Sequence, residues 1–312
     1  MLLKNLINNL AEDKQKIVIK GLSANSKDIK KGYIFFAIRG NKQNGEKYIQ
    51  EAIDKGASVI VSSKNFKYKN KKIFTKKKNN IRNFVSEVSS KFYKLKPKNI
   101  IAVTGTNGKT SVADLFYQLL SLNNIPVASI GTLGIKYNNK VIKTGLTSPD
   151  TISIHKHLQN LKKNKINNVI IEASSHGLSQ DRLHHVNFKV ALFTNFSQDH
   201  LDYHKTMKTY LNAKLILFKK ILSKNSSIVL DKTIKQFFFL KKIAKKRKLR
   251  LIEISKIIEK INNKPANINT DFKVKNLAMA IAATRLCGLK ESTIYKSLEK
   301  IKDVNGRLEL SR

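Results

Sequence analysis

The stretch from Ile100 to Thr110, IAVTGTNGKT with its leading Ile, constrains this chain more than any other. An apolar run ends in a turn of glycines and hydroxyl residues, and the turn ends on Lys109-Thr110. Val112, Leu115, Phe116, Leu119 and Leu120 then recur at helical spacing. Strand, glycine turn and helix in that order form an anion cradle. The glycines let backbone N–H groups approach phosphate oxygens, and the positive end of the new helix faces them. Lys109 is placed to reach terminal phosphates and the Thr110 hydroxyl to ligate Mg²⁺. The loop is shorter than the G-x-x-x-x-G-K-[ST] pattern, because Val103 stands where that pattern has glycine; Gly105-x-x-Gly108-Lys109-Thr110 remains.

A phosphate loop fits a globular α/β chain, and the rest of the sequence agrees. The 312 residues suffice for two domains, and 41% hydrophobic content excludes a disordered chain. No apolar run approaches the roughly 18 residues of a membrane span. The opening MLLKNLINNLAEDKQK lacks the apolar core and cleavage site of a secretory signal. A single cysteine, Cys287, excludes an internal disulfide framework, so a reducing cytoplasm is the expected setting. The formal charge of +40 admits two readings. One is nucleic-acid binding. The other is a general lysine and asparagine bias with solvated lysines on every face, which also attracts anionic substrates. Denser patches lie at Lys64–Lys78 and Lys241–Arg250, without RNP-like aromatics or zinc-finger spacing. That favours the bias.

Strand-like and helix-like pieces alternate along the chain. Gly32–Ile38 and Ala57–Ser62 read as strands, Glu46–Lys55 as a short helix, and Ile81 to Leu95 as an amphipathic helix. Pro97 marks a boundary near 96–98. Pro126–Ile130, Asn168–Glu172, Val190–Thr194 and Ser227–Asp231 read as further strands. Thr147-Ser148-Pro149-Asp150 is a turn able to cap a helix through Ile154 and Leu158. Lys232–Lys264 is basic and helical in tendency; Asn276–Cys287 and Ser292–Ile301 read as helices. This alternation predicts a doubly wound parallel sheet, in which ligands gather at the carboxyl ends of strands. Gly105–Thr110, Glu172–His176 and Asn195–His204 all fall at such ends.

Glu172 closes an apolar strand, where a carboxylate holds Mg²⁺ or pairs with one of many lysines. His200 and His204 are four apart beside Asp199 and Asp202, a spacing that suits a metal on a helix, but without the H-E-x-x-H pattern of zinc sites. A lone loop histidine more often serves as a hydrogen-bonding residue. Lys214, by pattern alone, is one of many surface lysines.

GTNGKT at 105–110, EASSHGLSQDRL at 172–183 and TNFSQDHLDYHKTMKTYLNAKLILF at 194–218 together resemble the Mur ligases. The Ser-Ser-His-Gly-Leu run with Gln180 and Arg182 is similar to the branch that joins meso-diaminopimelate or L-lysine to UDP-N-acetylmuramoyl-L-alanyl-D-glutamate in peptidoglycan synthesis. The resemblance runs from about Asn25 to Leu310 and implies a small amino-terminal α/β domain for the UDP substrate (1–97) and a central P-loop ATPase domain (98–312). It implies ATP and Mg²⁺ as cofactors, a substrate acyl phosphate, and an acceptor amine that displaces phosphate. Gly105, Thr106, Asn107, Gly108, Lys109, Thr110 and Ser111 then hold the ATP phosphates, Asn276 contacts adenine, and Arg307 belongs to the ATP site. Thr110, Glu172, His200 and Lys214 serve the metals, with Lys214 at the family's carbamylated lysine. Ser26, Asn41, Lys42 and Gln43 face the UDP portion; Thr147, Ser148, Ser174, Gln180 and Arg182 hold the muramoyl dipeptide. The resemblance departs at Asn25-Ser26-Lys27, where the family has Asp-Ser-Arg, and at Thr270-Asp271-Phe272. The family's carboxyl-terminal acceptor domain is expected to be absent, since the sequence stops at Arg312. Three alternatives stay open: a separately encoded third domain, an incomplete homologue that binds ATP and the UDP precursor only, and a basic P-loop protein that binds nucleic acid.

Overall fold

The computed structural model describes residues 1–40, 43–66, 73–261 and 265–303. They form two compact units. The first comprises Met1–Lys94 with Asp150–His157, the second Leu95–Pro149 with Leu158 onward. A single cut near residue 97 therefore misplaces one segment. Ile152, in the first turn of the helix Thr151–Lys163, packs against the apolar cluster of the first unit, and burial overrides chain order.

The first unit is built on four parallel strands in chain order: β1 (Gly21–Ser23), β2 (Tyr33–Phe36), β3 (Ala57–Ser63) and β4 (Phe74–Lys78). Leu22, Ile34, Val59 and Phe74 stand in one row across the sheet. Successive side chains of a strand face opposite ways. Accordingly Ile34 and Phe36 pack with Ile81, Phe84, Val85 and Val88 of the helix Ile81–Phe92, while Phe35 and Ala37 pack with Ile49 and Ala52 of the helix Ile49–Asp54. The short strands β1 and β4 escape the sequence reading, because three residues, or a Lys-rich five, carry little apolar signal.

The second unit holds eight strands: β5 (Asn99–Thr104), β6 (Val127–Gly131), β7 (Gly134–Tyr137), β8 (Lys140–Ile142), β9 (Asn168–Glu172), β10 (Val190–Phe193), β11 (Ser227–Leu230) and β12 (Arg250–Glu253). Their order is β12-β11-β10-β5-β9-β6-β7-β8. All neighbouring pairs are parallel except β6–β7 and β7–β8. The chain leaves β5 toward β6 on one side and returns to lay β10 on the other. That reversal opens a crevice at the carboxyl end of β5. Every residue of β5 is buried. The helix Lys109–Ser121 covers this strand and packs in turn on Asp271–Leu286, whose run Asn276–Thr284 is buried throughout.

Two features depart from the sequence reading. The hairpin β7–β8 turns on Asn138 and Asn139, both at positive φ (45° and 58°), a turn conformation that Asn tolerates and that signals a two-residue hairpin. The stretch 232–264 is not uniformly helical. The helix Phe237–Arg247 stops at Lys248 with φ 54°, and β12 follows, pairing parallel to β11. The strand is four residues long with charged ends, Arg250 and Glu253, and so carries little apolar signal; Ile252 packs against the core of the unit and anchors it.

Candidate functional site

The turn after β5 is held in a conformation that only glycine adopts without strain. Gly105 has φ +147° and Gly108 φ +84°. A Cβ on Gly105 would overlap Thr194 Oγ1, and one on Gly108 would stand 2.6 Å from Asn276 Oδ1. The adjoining strand laces the turn in place. Thr106 N–H donates to Asn195 O (3.0 Å), and Asn107 N–H donates to Asn195 Oδ1 (2.9 Å). Thr194 Oγ1 and Asn195 Nδ2 both donate to Asn107 O (2.6 and 3.2 Å). Ser197 N–H and the Tyr210 hydroxyl reach Thr106 Oγ1 (3.0 and 3.3 Å). Sequence reasoning placed Asn195–His204 at a ligand-gathering strand end but gave Thr194, Asn195, Ser197 and Tyr210 no individual role. Their signal is positional: the residues after β10 adjoin the turn because β10 pairs with β5.

Lys109 is buried and folds back over the loop, donating to Gly105 O (3.0 Å) and Thr106 O (2.7 Å). Lys214, on the helix Met207–Ile216, is 1% exposed and donates to the same Gly105 O at 2.7 Å; its ammonium lies 4.3 Å above the Tyr210 ring. Burial, and then the Lys109 charge, push the Lys214 amine down to about 6. An amine this deep is unlike the solvated lysine that pattern alone suggested.

Glu172 ends β9, 1% exposed, with both carboxylate oxygens engaged. Thr110 Oγ1 donates to Oε2 (3.0 Å), Thr132 Oγ1 also to Oε2 (3.1 Å), and Thr132 N–H to Oε1 (3.0 Å). Thr110 and Glu172 thus pair a hydroxyl with a carboxylate beside the anion cradle. Such all-oxygen donors suit a hard cation such as Mg²⁺. Among the described residues no three His, Cys, Asp or Glu side chains converge as a metal cluster. A cation here would therefore complete its shell from hydroxyl, phosphate and water oxygens.

His200 stands at the amino end of the helix Leu201–His204 with φ 51°, and His204 N–H donates to its carbonyl (3.0 Å). The His204 ring lies 5.4 Å from His176, so both imidazoles pack on that one histidine. His200 Nε2 lies 3.5 Å from Asp199 Oδ2, and its ring meets His176 edge-on at 5.1 Å. His204 is buried with Nε2 unpartnered; burial and then the His176 and His200 rings drop it to about 4.

Beside Glu172, Ser148 Oγ donates to Glu172 O (2.8 Å) and lies 3.0 Å from Ser174 Oγ, which caps the helix Ser175–Ser179 through Gly177 N–H. Arg182 donates to Ser148 O (2.7 Å) and through two N–H groups to Gln180 Oε1 (2.6 and 3.2 Å). Gln180 in turn donates to the Tyr203 hydroxyl at 3.1 Å.

One cavity of about 420 Å³ gathers most of these groups. Thr106, Asn107, Lys109, Thr147, Ser148, Ser174, Arg182, His200 and Lys214 line it, together with Thr132, Ser175, His176 and Asp199. Thr110 and Glu172 stand behind Thr132. Asn276 lies against Gly108, its Nδ2 unpartnered. Ser111, in the first turn of its helix, does not line the cavity. Ser26 belongs to the first unit, where its hydroxyl donates to Glu51 Oε2 at 2.8 Å; Gln43 there is exposed. A cavity of about 690 Å³ in that unit is lined by Asn25, Asp28, Tyr33 and Asp150 among others, but not by Ser26. Asn41, Lys42 and Arg307 lie outside the described residues.

Comparison with known proteins gives this geometry a family. Residues 103–286 match the Mur ligase middle domain, and residues 18–94 match the Mur ligase family catalytic domain. A UDP-N-acetylmuramoyl-L-alanyl-D-glutamate--2,6-diaminopimelate ligase of Rickettsia montanensis is 37% identical over 328 aligned positions, covering 96% of this chain and 68% of the relative. A solved structure of an enzyme of that name superposes with a TM-score of 0.84 at 22% identity, covering 98% of this chain and 68% of that one. The ligase MurF of Thermotoga maritima, solved in complex with ADP, shares the fold with a TM-score of 0.58 at 16% identity, covering 93% of this chain and 68% of that one. The chain thus spans about two thirds of the length of these relatives. Matched by family models over most of its length, the chain belongs to the Mur ligase family.

Proposed function

We propose that this chain binds ATP and UDP-N-acetylmuramoyl-L-alanyl-D-glutamate and serves the ATP-dependent attachment of diaminopimelate to that precursor in the cytoplasm. The observation that carries this reading is that one cavity is lined both by the phosphate loop and by Ser148, Ser174 and Arg182. The relatives' names supply the substrate class and the acceptor. Lysine remains the other acceptor to be tested.

The chain's own groups divide the work. The loop amides and Lys109 bind phosphate oxygens, with the helix Lys109–Ser121 pointing its positive end at them. Arg182, whose fork matches a carboxylate, orients the terminal carboxylate of the dipeptide toward the loop. Thr110 and Glu172 would hold Mg²⁺, and His200 and a carbamylated Lys214 would serve a second ion. Such ions would supply positive charge to offset that developing on a transferring phosphoryl group. Lys214 suits carbamylation because an amine at about 6 is largely neutral at physiological pH, and the neutral amine is the form that reacts with CO₂. Asn276 contacts the nucleotide at the end of the loop, and Ser26 and Gln43 belong to the UDP end of the precursor.

Phosphate release with ATP, the UDP-dipeptide and diaminopimelate or lysine, run beside calorimetric binding of each ligand, tests the reading. Saturable binding of ATP and UDP-dipeptide, with acceptor-dependent phosphate release, is expected. Binding of both without turnover leaves the chain a binding module. Steeply salt-dependent RNA binding without affinity for the UDP precursor would replace the reading with a nucleic-acid one.

A further inference from the structure

Thr132 carries no assigned role, yet it bridges Glu172 and Thr147 at the cavity. It sits in the two-residue turn between β6 and β7, where Gly131 pairs with Gly134. A tight hairpin of this kind leaves the turn residue little freedom. Its N–H holds Glu172 Oε1 at 3.0 Å, and its hydroxyl lies 3.1 Å from Glu172 Oε2 and 3.2 Å from Thr147 Oγ1. Glu172 is pressed close to the same hairpin, since any side chain at Gly131 would overlap its Oε1.

A threonine hydroxyl has one proton and two acceptor lone pairs. Its proton therefore goes either to Glu172 Oε2 or to Thr147, not to both. Turned to Glu172, it adds a second hydroxyl donor to the oxygen that Thr110 already contacts. Turned to Thr147, it leaves Oε2 with the Thr110 hydroxyl donor, frees the lone pair on the Thr132 side, and loads Thr147 as an acceptor. Thr147 then directs its own proton into the cavity.

We propose that Thr132 is a positioning residue that fixes Glu172 for a divalent cation and couples cation binding to the UDP-dipeptide wall through Thr147. The inference rests on the function proposed above and adds a named coupling to it. The backbone N–H supplies the fixed half of the device, and the hydroxyl supplies the half that switches. Groups that orient a metal ligand from behind typically change metal affinity by about 10- to 100-fold when removed.

The test compares the parent with Thr132→Val, Thr132→Ala and Thr132→Ser. Mn²⁺ binding in the presence of ADP is read by electron paramagnetic resonance. UDP-N-acetylmuramoyl-L-alanyl-D-glutamate binding, with and without Mn²⁺, is read by calorimetry. In the parent, Mn²⁺ should tighten dipeptide binding about 5-fold or more. Thr132→Val and Thr132→Ala should weaken Mn²⁺ by at least about 10-fold and abolish the coupling, while Thr132→Ser keeps both. Val and Ala variants that match the parent in Mn²⁺ affinity and coupling overturn this inference alone. A parent that binds neither Mn²⁺ with ADP nor the dipeptide overturns the proposed function and this inference with it. Because Ser keeps the hydroxyl, a Ser variant that behaves like Val shows that shape rather than the hydroxyl matters, and overturns the inference too.

Discussion

Lys109 and Lys214 donate to one carbonyl oxygen, that of Gly105, at 3.0 and 2.7 Å. Two buried ammonium groups on one acceptor repel each other, which is one reason the Lys214 amine falls to about 6. A polyanion at the loop relieves that repulsion, and so does converting one amine to an anionic group. The two lysines should therefore fail differently. Lys109→Ala is expected to weaken ATP by at least about 10-fold, as loss of a charge-assisted contact does. Lys214→Ala is expected to leave ATP affinity within about 3-fold and to lower phosphate release by roughly 100-fold or more, the scale of a lost electrostatic stabiliser. Calorimetry and a phosphate-release assay separate the two, and the reverse pattern would show that the roles are exchanged.

The glycine at the loop entrance should be irreplaceable for a reason that its conformation alone does not give. Gly105 and Gly145 both have positive φ, +147° and +67°, but only Gly105 has Thr194 Oγ1 in the place of a Cβ. Gly145→Ala is expected to cost about 1 kcal/mol, the strain of a positive φ. Gly105→Ala should cost roughly 2 kcal/mol more, because the displaced Thr194 also loses its bond to Asn107 O. Urea denaturation of the two variants gives the comparison, and equal losses would remove the packing argument.

Asn195 grips the peptide of Asn107 from both sides, accepting its N–H and donating to its carbonyl. Asn195→Ala should raise the ATP concentration needed for half-maximal binding by about 10-fold, while lowering stability by only about 1–2 kcal/mol. An unchanged nucleotide titration would show that the other contacts suffice to hold the loop.

Cys287 gives a pH-dependent readout of the helix that supports the loop. It follows the helix Asp271–Leu286, and burial pushes its thiol up to about 12. The reactive form is the thiolate, and a raised thiol keeps that form scarce in the folded chain at pH 8. Native protein should resist a disulfide reagent at pH 8, react faster as pH rises toward 12, and react fully at pH 8 in urea. Rapid reaction of native protein at pH 8 would mean that this helix end opens.

The loop from Gly105 to Thr110, the strands β5, β9, β10 and β11, and the doubly wound class are legible in the sequence. Apolar runs that end in Gly, Glu or Asn have few other ways to bury themselves. The residues that hold the loop are less legible. Thr194, Asn195 and Thr132 are short polar residues whose meaning depends on which strand lies beside β5 and on which hairpin closes over Glu172. The strand β12 and the hairpin β7–β8 are hidden for a related reason: short pieces with charged ends or exposed lysines and asparagines carry no hydrophobic period. The chain order of residues fixes a strand, a glycine turn and a helix as local objects, because backbone sterics and apolar periodicity act over a few residues. Only the tertiary structure decided that Lys214 is buried against Gly105, that His200 and His204 both pack on His176, and that Asp150–His157 belongs with the first unit. Each depends on burial, which is a property of what packs against a residue and not of the residue's neighbours in sequence.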